Sequence, residues 1–368
     1  MVYYEGAFYT HLLFMSLFGG GAKSSYLGVD FGSGGIKLVE LMNEKGRARL
    51  LTYAFVERGP SETTLNYLDD VKETSETLKK MLKKARAVSK RTVSGLPISS
   101  VFGSIINIQK TADQKEMNEA VRWQAKKLIP MPLEEMALTW QKIDPVTPKP
   151  DDKYQEVLLT AASKTMIKKY TDIFALAGLE LMSLETEAFA LIRSLIGRDR
   201  SANVIVDVGG ARTNIIIVEN GIPYVSRSVA VGGHAITKEM SNVLNLPEDQ
   251  AEGMKLDAGS VSTLYEAGGF PKLFEKVLAP IVTELNYSSN LFLSQKANEG
   301  KRLEKIILTG GGALLPNIAD YLAKASNMRV YIGDPWARVV YPDALKPVLA
   351  QIGPRFGVPI GLAMRDID

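Results

Sequence analysis

The stretch LGVDFGSGGIKLVEL, Leu27–Leu41, and the stretch VIVDVGGARTNIIIV, Val204–Val218, follow one plan. Each is an aliphatic strand closing on Asp-x-Gly, a turn of small and polar residues, and a second aliphatic strand. One such hairpin means little, because Asp and Gly build tight turns wherever strands reverse. Two copies spaced as two lobes require are a duplication, with Asp30 and Asp207 at equivalent positions. A third glycine-rich turn, TGGGALLPN at Thr309–Asn317, follows the aliphatic run KIILTG and opens a helix.

The repeated turn has the chemistry of a polyphosphate site. Glycines let backbone N–H groups approach phosphate oxygens with no Cβ in the way, which singles out Gly32, Gly34, Gly209, Gly210 and the triplet Gly310, Gly311, Gly312. Ser33, Thr213 and Asn214 add side-chain donors, and Lys37 is placed to reach a β- or γ-phosphate. Asp30 and Asp207 are the expected holders of Mg²⁺ through water, since that ion keeps several waters and takes few protein carboxylates.

Outward from the hairpins, the chain divides. Residues 1–25 read as a leader or tail expected to be disordered, with Met15 the expected start. Its uncharged run Gly6–Ala22 is too short and too polar to span a bilayer, and no basic residue precedes it as a signal peptide requires. Residues 26–92 form a first lobe: a three-strand meander, then an amphipathic helix over Asp69–Lys90 with Val71, Leu78, Leu82 and Ala85 on one face and a lysine-rich face opposite, expected to be solvated, with docking on an acidic lipid surface or a partner the alternative. Residues 93–180 read as a small α+β insertion. Its first helix is signed by Thr111 and Gln114 at capping-box spacing, and Trp123 is expected in the core. A connecting helix is expected over 181–200, the second lobe over 201–350, and a return to the first lobe over 351–368.

Composition excludes several alternatives. At 46% hydrophobic and 23% charged, with a formal charge of +3, the 368 residues are neither disordered nor suited to wholesale nucleic-acid binding. With no cysteine and only His11 and His234, thiolate chemistry and an imidazole zinc centre drop out.

These motifs resemble the actin, sugar-kinase and heat-shock-chaperone ATPase superfamily; DFGSGGIK is close to actin's own first phosphate loop. The resemblance implies an α/β fold, the duplicated ribonuclease H-like two-lobe architecture with a small α+β insertion, clamping ATP and Mg²⁺ between the lobes. In ETEAFAL it implies that Glu187 stands near the attacking water, with Glu185 the weaker alternative. Within the superfamily the chain from Ser24 onward is similar to the PilM family of type IV pilus assembly, with the cell-division protein FtsA as its cousin. That likeness rests on AVRWQAKKLIPMPLEEM, RSVAVGGHAITKEM, LPEDQAEGMK and PRFGVPIGLAMR. It adds Gly232 and Gly233 to the nucleotide set and implies nucleoside contacts from Glu252 and Lys255. It further implies a cytoplasmic protein, held at the inner membrane by the cytoplasmic N-terminal tail of PilN, contacting other inner-membrane and motor components, with homo-oligomers and slow or partner-dependent hydrolysis compatible with it. Two features depart from the pattern. Arg212 puts a cation in the second turn, facing either phosphate or solvent, and His234 replaces a common asparagine. An FtsA-like or type II secretion role, and a small-molecule kinase, are the alternatives.

Overall fold

The computed structural model describes residues 3–7, 25–59, 66–111, 113–144, 153–257, 272–295 and 298–367. In chain order, β1 (Tyr3–Ala7), β2 (Ser25–Gly32), β3 (Gly35–Glu44) and β4 (Arg47–Glu57) lead into α1 (Val71–Ala85) and β5 (Arg91–Leu96). There follow β6 (Val101–Gln109), α2 (Gln114–Leu128), β7 (Met136–Ile143), β8 (Tyr154–Ser163), α3 (Lys164–Leu176), β9 (Glu180–Thr186) and α4 (Glu187–Leu191), which runs on as a π-helical turn over Ile192–Ile196. The second half holds β10 (Asn203–Val208), β11 (Thr213–Glu219), β12 (Ile222–Val229), α5 (Gly233–Leu244), α6 (Glu248–Leu256) and α7 (Lys272–Leu293). It continues through β13 (Ile306–Thr309), α8 (Ile318–Ser326), β14 (Val330–Ile332), β15 (Val339–Val340), α9 (Lys346–Ile352) and α10 (Gly357–Ala363).

The duplication is topological. The first sheet runs β1-β4-β3-β2-β5-β9 and the second β12-β11-β10-β13-β14. In each, an antiparallel meander is extended by two parallel strands laid beside its first member. The two Asp-x-Gly turns therefore sit at equivalent corners of equivalent sheets. Between the sheets lie α4 and α10, packed in a fully apolar layer with Val93, Ile205, Ile216, Val218 and Leu362. Each lobe keeps its own core, and this is the two-lobe actin-like fold expected of the sequence.

Several boundaries move. β5 and α3 belong to the first lobe, since β5 pairs in parallel with β2, and Tyr170, Ile173 and Phe174 of α3 are buried in that lobe's core. The inserted unit proper is thus the three-stranded sheet β6-β8-β7 with α2 on it. The segment read as the start of the connecting helix is strand β9, parallel to β5. The return to the first lobe begins before 351: β15 pairs with β4, and Trp336 is buried against Tyr53 and Phe356, with ring centroids 6.2 and 5.7 Å away.

Residues 3–7 of the leader form an antiparallel edge strand on β4 rather than disorder, because β4 otherwise leaves one row of backbone groups unpaired. The proposed start at Met15 lies outside the described residues. The cap of α2 is Asp113, whose carboxylate accepts from Lys115 N–H at 2.7 Å. Thr111 instead accepts from Asp113 N–H at 3.1 Å and donates to Glu116 at 2.6 Å. Trp123 is 59% exposed, with Lys127 Nζ 3.0 Å from its ring centre, a cation–π contact that lets the indole lie on the surface.

Candidate functional site

The β2–β3 turn carries Gly32, Ser33 and Gly34; the β10–β11 turn carries Gly209, Gly210, Ala211 and Arg212. They meet directly, Ala211 N–H donating to Ser33 Oγ at 2.9 Å across the lobes. Packing here is close. A Cβ on Gly210 would come within 2.7 Å of His234 Cε1 and 3.0 Å of Ser33 Oγ, and one on Gly232 within 2.5 Å of Gly209 O. Gly233 and His234 donate their backbone N–H groups to Gly209 and Gly210 carbonyls at 2.9 and 2.8 Å, fixing the N-terminus of α5 to the second turn.

Behind the turns stand three carboxyl groups. Asp30 pairs with Lys37 at 3.4 Å, its partner in the hairpin register. Glu187, the first residue of α4, accepts from Ile98 N–H at 3.4 Å and from Asn214 Nδ2 at 3.2 Å; the same Asn214 nitrogen reaches Asp207 Oδ2 at 3.2 Å. Burial, then the charges of Asp30 and Asp207, push the Glu187 carboxyl well above the usual carboxylate range. Asp207 is pushed up to about 6 by burial and by Asp30, against the pull of Asn214 and Lys37. Asn214 Nδ2 bridges Glu187 and Asp207, and the Asp30 charge bears on both, so the three carboxyls lie near one another. Glu185 lies apart, locked to Arg193 at 2.8 and 2.9 Å.

The third turn joins the same corner. Thr309 is the register partner of Asp207, and Gly310 donates its N–H to Pro354 O at 2.9 Å. At Gly310 φ is +83° and a Cβ would fall 2.4 Å from Val208 O; one on Gly312 would fall 2.3 Å from Val208 Cγ1. Both glycines are thus demanded by packing on β10, whereas Gly34 has open space beside it and a Cβ on Gly311 would meet only the Arg355 side chain, at 3.9 Å. From α5 and α6 come Thr237, Glu252 and Lys255. The ammonium of Lys255 donates to Glu252 Oε2 at 2.6 Å, Thr237 Oγ1 at 2.8 Å and Gly233 O at 3.1 Å, and Thr237 Oγ1 also makes a short hydrogen bond to Glu252. Burial lowers the pKa of Lys255 and, with the Lys255 charge, that of His234.

Two sequence expectations are modified. Thr213 is fully buried and spends its hydroxyl on Val231 O at 2.7 Å, so its side chain does not face the crevice. Asn214 is a bridge between two carboxyls rather than a donor aimed at open space. Arg212 is exposed, the solvent alternative. No sequence signal marks Thr237, the Ile98 N–H, or the Glu57–Arg355 ion pair that ties β4 to the segment beside Gly311. Only the hairpin register, which sets Glu57 opposite Gly35, hints at the last.

The fit to a nucleotide triphosphate with Mg²⁺ can be judged from these groups. Asp30, which is buried, and the half-buried Asp207 and Glu187 share Lys37 as a nearby cation, leaving excess negative charge for a hard cation to neutralise. Among the described residues no three His, Cys, Asp or Glu side chains converge as a ready-made metal cage. That suits an ion completed by phosphate oxygens and water. The open flank of Gly34 and the half-buried Ser33 turn leave room for phosphates.

A family model described as type IV pilus assembly protein PilM matches residues 28–367. The chain belongs to the PilM family. The solved PilM-PilN type IV pilus biogenesis complex is similar to this PilM-family chain with TM-score 0.79 and 24% identity, covering 94% of this chain and 99% of that one. MreB5 of Spiroplasma citri bound to AMPPNP is similar with TM-score 0.50 and 14% identity, over 92% and 94% of the two chains. These likenesses show the actin-like fold. Among curated proteins, the cell division protein FtsA of Neisseria meningitidis serogroup B is 25% identical over 226 residues, 56% of this chain and 52% of FtsA. The FtsA of Borreliella burgdorferi is 26% identical over 198 residues, 46% and 44% of the two. The chain spans about half the length of the curated relatives it matches. Among the described residues no helix is long and apolar enough to cross a membrane.

Proposed function

We propose that this PilM-family protein binds Mg²⁺ and ATP between its two hairpins and captures the N-terminal tail of a PilN-like membrane protein beside its inserted sheet, which holds it at the inner membrane from the cytoplasmic side. The supporting observation is Ile98. Its N–H reaches the Glu187 carboxylate, and the same residue lines a narrow cleft between the insertion and the two lobes. Nucleotide crevice and cleft therefore share one residue, and a change at the phosphates is felt where a partner sits.

The cleft suits an extended peptide. Among the described residues β6 and β12 are edge strands, and they supply Gly103, Ser104, Ile105, Tyr224 and Ser226 to its walls. An edge strand offers unpaired backbone groups to an added strand, and the apolar walls take alternate side chains. Ile105→Glu puts a charge on that wall, where desolvation opposes it. We expect a labelled PilN-tail peptide to bind the full chain, Ile105→Glu to weaken it about tenfold or more, and Mg²⁺ with ATP to change its affinity. Unaltered peptide affinity in Ile105→Glu would remove the cleft from the reading.

In the nucleotide crevice, the turns at Ser33–Gly34 and Gly209–Gly210 and the Gly311 turn would hold the phosphates, with Lys37 beside them. Asp30 and Asp207 would hold Mg²⁺, and Thr237, Glu252 and Lys255 would face the nucleoside. The ion, when bound, neutralises phosphate charge. Glu187, kept basic by burial and its two acidic neighbours, is placed to orient and deprotonate water. Its bonds to Ile98 and Asn214 fix the carboxylate. Glu187→Gln keeps these acceptors and removes the base. ATP binding by equilibrium titration should survive the change, while single-turnover hydrolysis falls about 100-fold or more; equal hydrolysis in the variant would assign the water to another group.

A further inference from the structure

The run KKMLKKARAVSKR, residues 79–91, holds seven cations and no carboxylate. The whole chain carries +3, so the other 355 residues sum to +3 minus +7, or −4. Positive charge is thus gathered at one pole of an otherwise acidic molecule.

Structure turns the run into a surface. Met81 and Ala85 face the core of the first lobe, leaving Lys80, Lys83 and Lys84 exposed on the last turns of α1. Lys80, Lys83, Lys84 and Arg86 line one open basin. Arg86 ends the helix in the left-handed region at φ 52°, and the loop after it turns Val88 outward, 75% exposed. That loop is held firmly. The carboxylate of Glu40, itself fully buried, accepts the N–H of Val88 and of Ser89, both at 3.0 Å, and Ser89 Oγ donates to Ser25 O at 2.7 Å. A buried carboxylate spent on fixing two loop amides holds an aliphatic tip among exposed lysines in one position.

We propose that the end of α1 and the loop Arg86–Lys90 form a docking surface for an anionic lipid bilayer, with Lys80, Lys83, Lys84, Arg86 and Lys90 on the headgroup phosphates and Val88 entering the interface. The chemistry favours lipid over other polyanions. Single-strand nucleic acid binders interleave aromatic platforms with their cations, and the run 79–91 holds no aromatic residue. A membrane interface accepts cations and an apolar tip together, and basic clusters of this size are attracted to anionic leaflets. The net −4 elsewhere is repelled by the same surface, so the pole also sets the orientation of the bound molecule. This surface is independent of the nucleotide and peptide sites.

The full chain is sedimented with vesicles of phosphatidylcholine alone and of an equal mixture of phosphatidylglycerol and phosphatidylcholine, with heparin-column retention run in parallel. The wild type should partition onto the mixed vesicles and not the neutral ones, with binding falling as salt rises. Lys80→Glu/Lys83→Glu/Lys84→Glu should lose roughly tenfold or more of that partition, and Lys110→Glu/Lys115→Glu, on the insertion, should not. Val88→Ser, which removes the apolar tip and keeps the charge, should weaken vesicle binding without altering heparin retention, which separates lipid from a general polyanion. Circular dichroism of each variant confirms its fold. Equal partition onto neutral vesicles, no partition of the wild type onto the mixed ones, an unaffected triple variant, or a Val88→Ser effect of equal size on heparin would each overturn the proposal.

Discussion

The Asp30→Asn/Asp207→Asn variant is expected to lose Mg²⁺-dependent ATP binding by about 100-fold or more and, without ligand, to melt at a higher temperature than the wild type. Both effects come from the same charges. In the free protein Glu187 and Asp207 stand near the Asp30 charge, and burial together with that charge opposes the ionisation of both. Asp207 rises from 3.8 to about 6. A carboxyl raised on folding costs nothing below its unfolded value near 4 and its full penalty above 6, so native stability drops as pH climbs through that window. For Asp207 the penalty is at most about 3 kcal/mol at 1.36 kcal/mol per unit, and less where solvent screens the group. Asparagine cannot ionise, and its carbonyl still accepts from Asn214 Nδ2. The melting curves of variant and wild type should therefore lie closest near pH 4 and separate progressively to above pH 6. Adding Mg²⁺ and ATP should stabilise the wild type and leave the variant unmoved. Scanning fluorimetry across that range, with a nucleotide titration at neutral pH, reads both results; a pH-independent gap or undiminished ATP affinity would defeat the two-hairpin site.

What the sequence disclosed and what it withheld follow from range. The hairpins were legible because β2–β3 and β10–β11 are local: aliphatic alternation, Asp-x-Gly and the turn all fall within fifteen residues. Strands β5 and β9 were misassigned because their partners are remote, Leu27 pairing with Thr92 and Arg91 with Glu180. No short window holds that pairing. The same distinction governs the site. Asp30, Lys37, Ser33 and Asp207 are where turn chemistry puts them, while Thr213 and Asn214 turned on partners elsewhere, Val231 for the one and Glu187 for the other. Trp123 is expected in the core by its bulk, yet it lies off the stripe of Met117, Val121 and Ala125, and Lys127, one turn on, gives its ring a cation to lie against at the surface. Glu187 was reached through family likeness, since a carboxylate opening a helix is usually only favourable to the helix dipole. Its burial against Asp30 and Asp207 is a property of the assembled lobes.

Gly361→Ala is expected to cost about 3 kcal/mol or more of stability, although it adds a single methyl group to a helix that alanine otherwise favours. Helix α10 lies between the sheets with backbone against backbone. A Cβ at Gly361 would stand 1.9 Å from Ala190 O and 2.5 Å from its carbonyl carbon, and one at Gly28 would stand 2.0 Å from Pro359 O on the other side. Rotamer changes cannot relieve either overlap, because the obstructing atoms are main chain. The helix must move away from α4, opening the apolar layer of Ala188, Leu191 and Leu362 and straining the hydrogen bond from Arg193 to Gly361 O. Gly34→Ala is the matched control: nothing lies within 4 Å of its added Cβ, so its stability should stay within about 1 kcal/mol of wild type. Urea unfolding of the two variants gives the comparison. Because α4 begins at Glu187, displacing it also shifts that carboxylate from Ile98 and Asn214, so the folded fraction of Gly361→Ala should bind ATP yet turn it over more slowly than the wild type. Unfolding midpoints for Gly361→Ala within 1 kcal/mol of the wild type would mean that the two helices are free to separate, and that the contact at Ala190 does not fix the lobes.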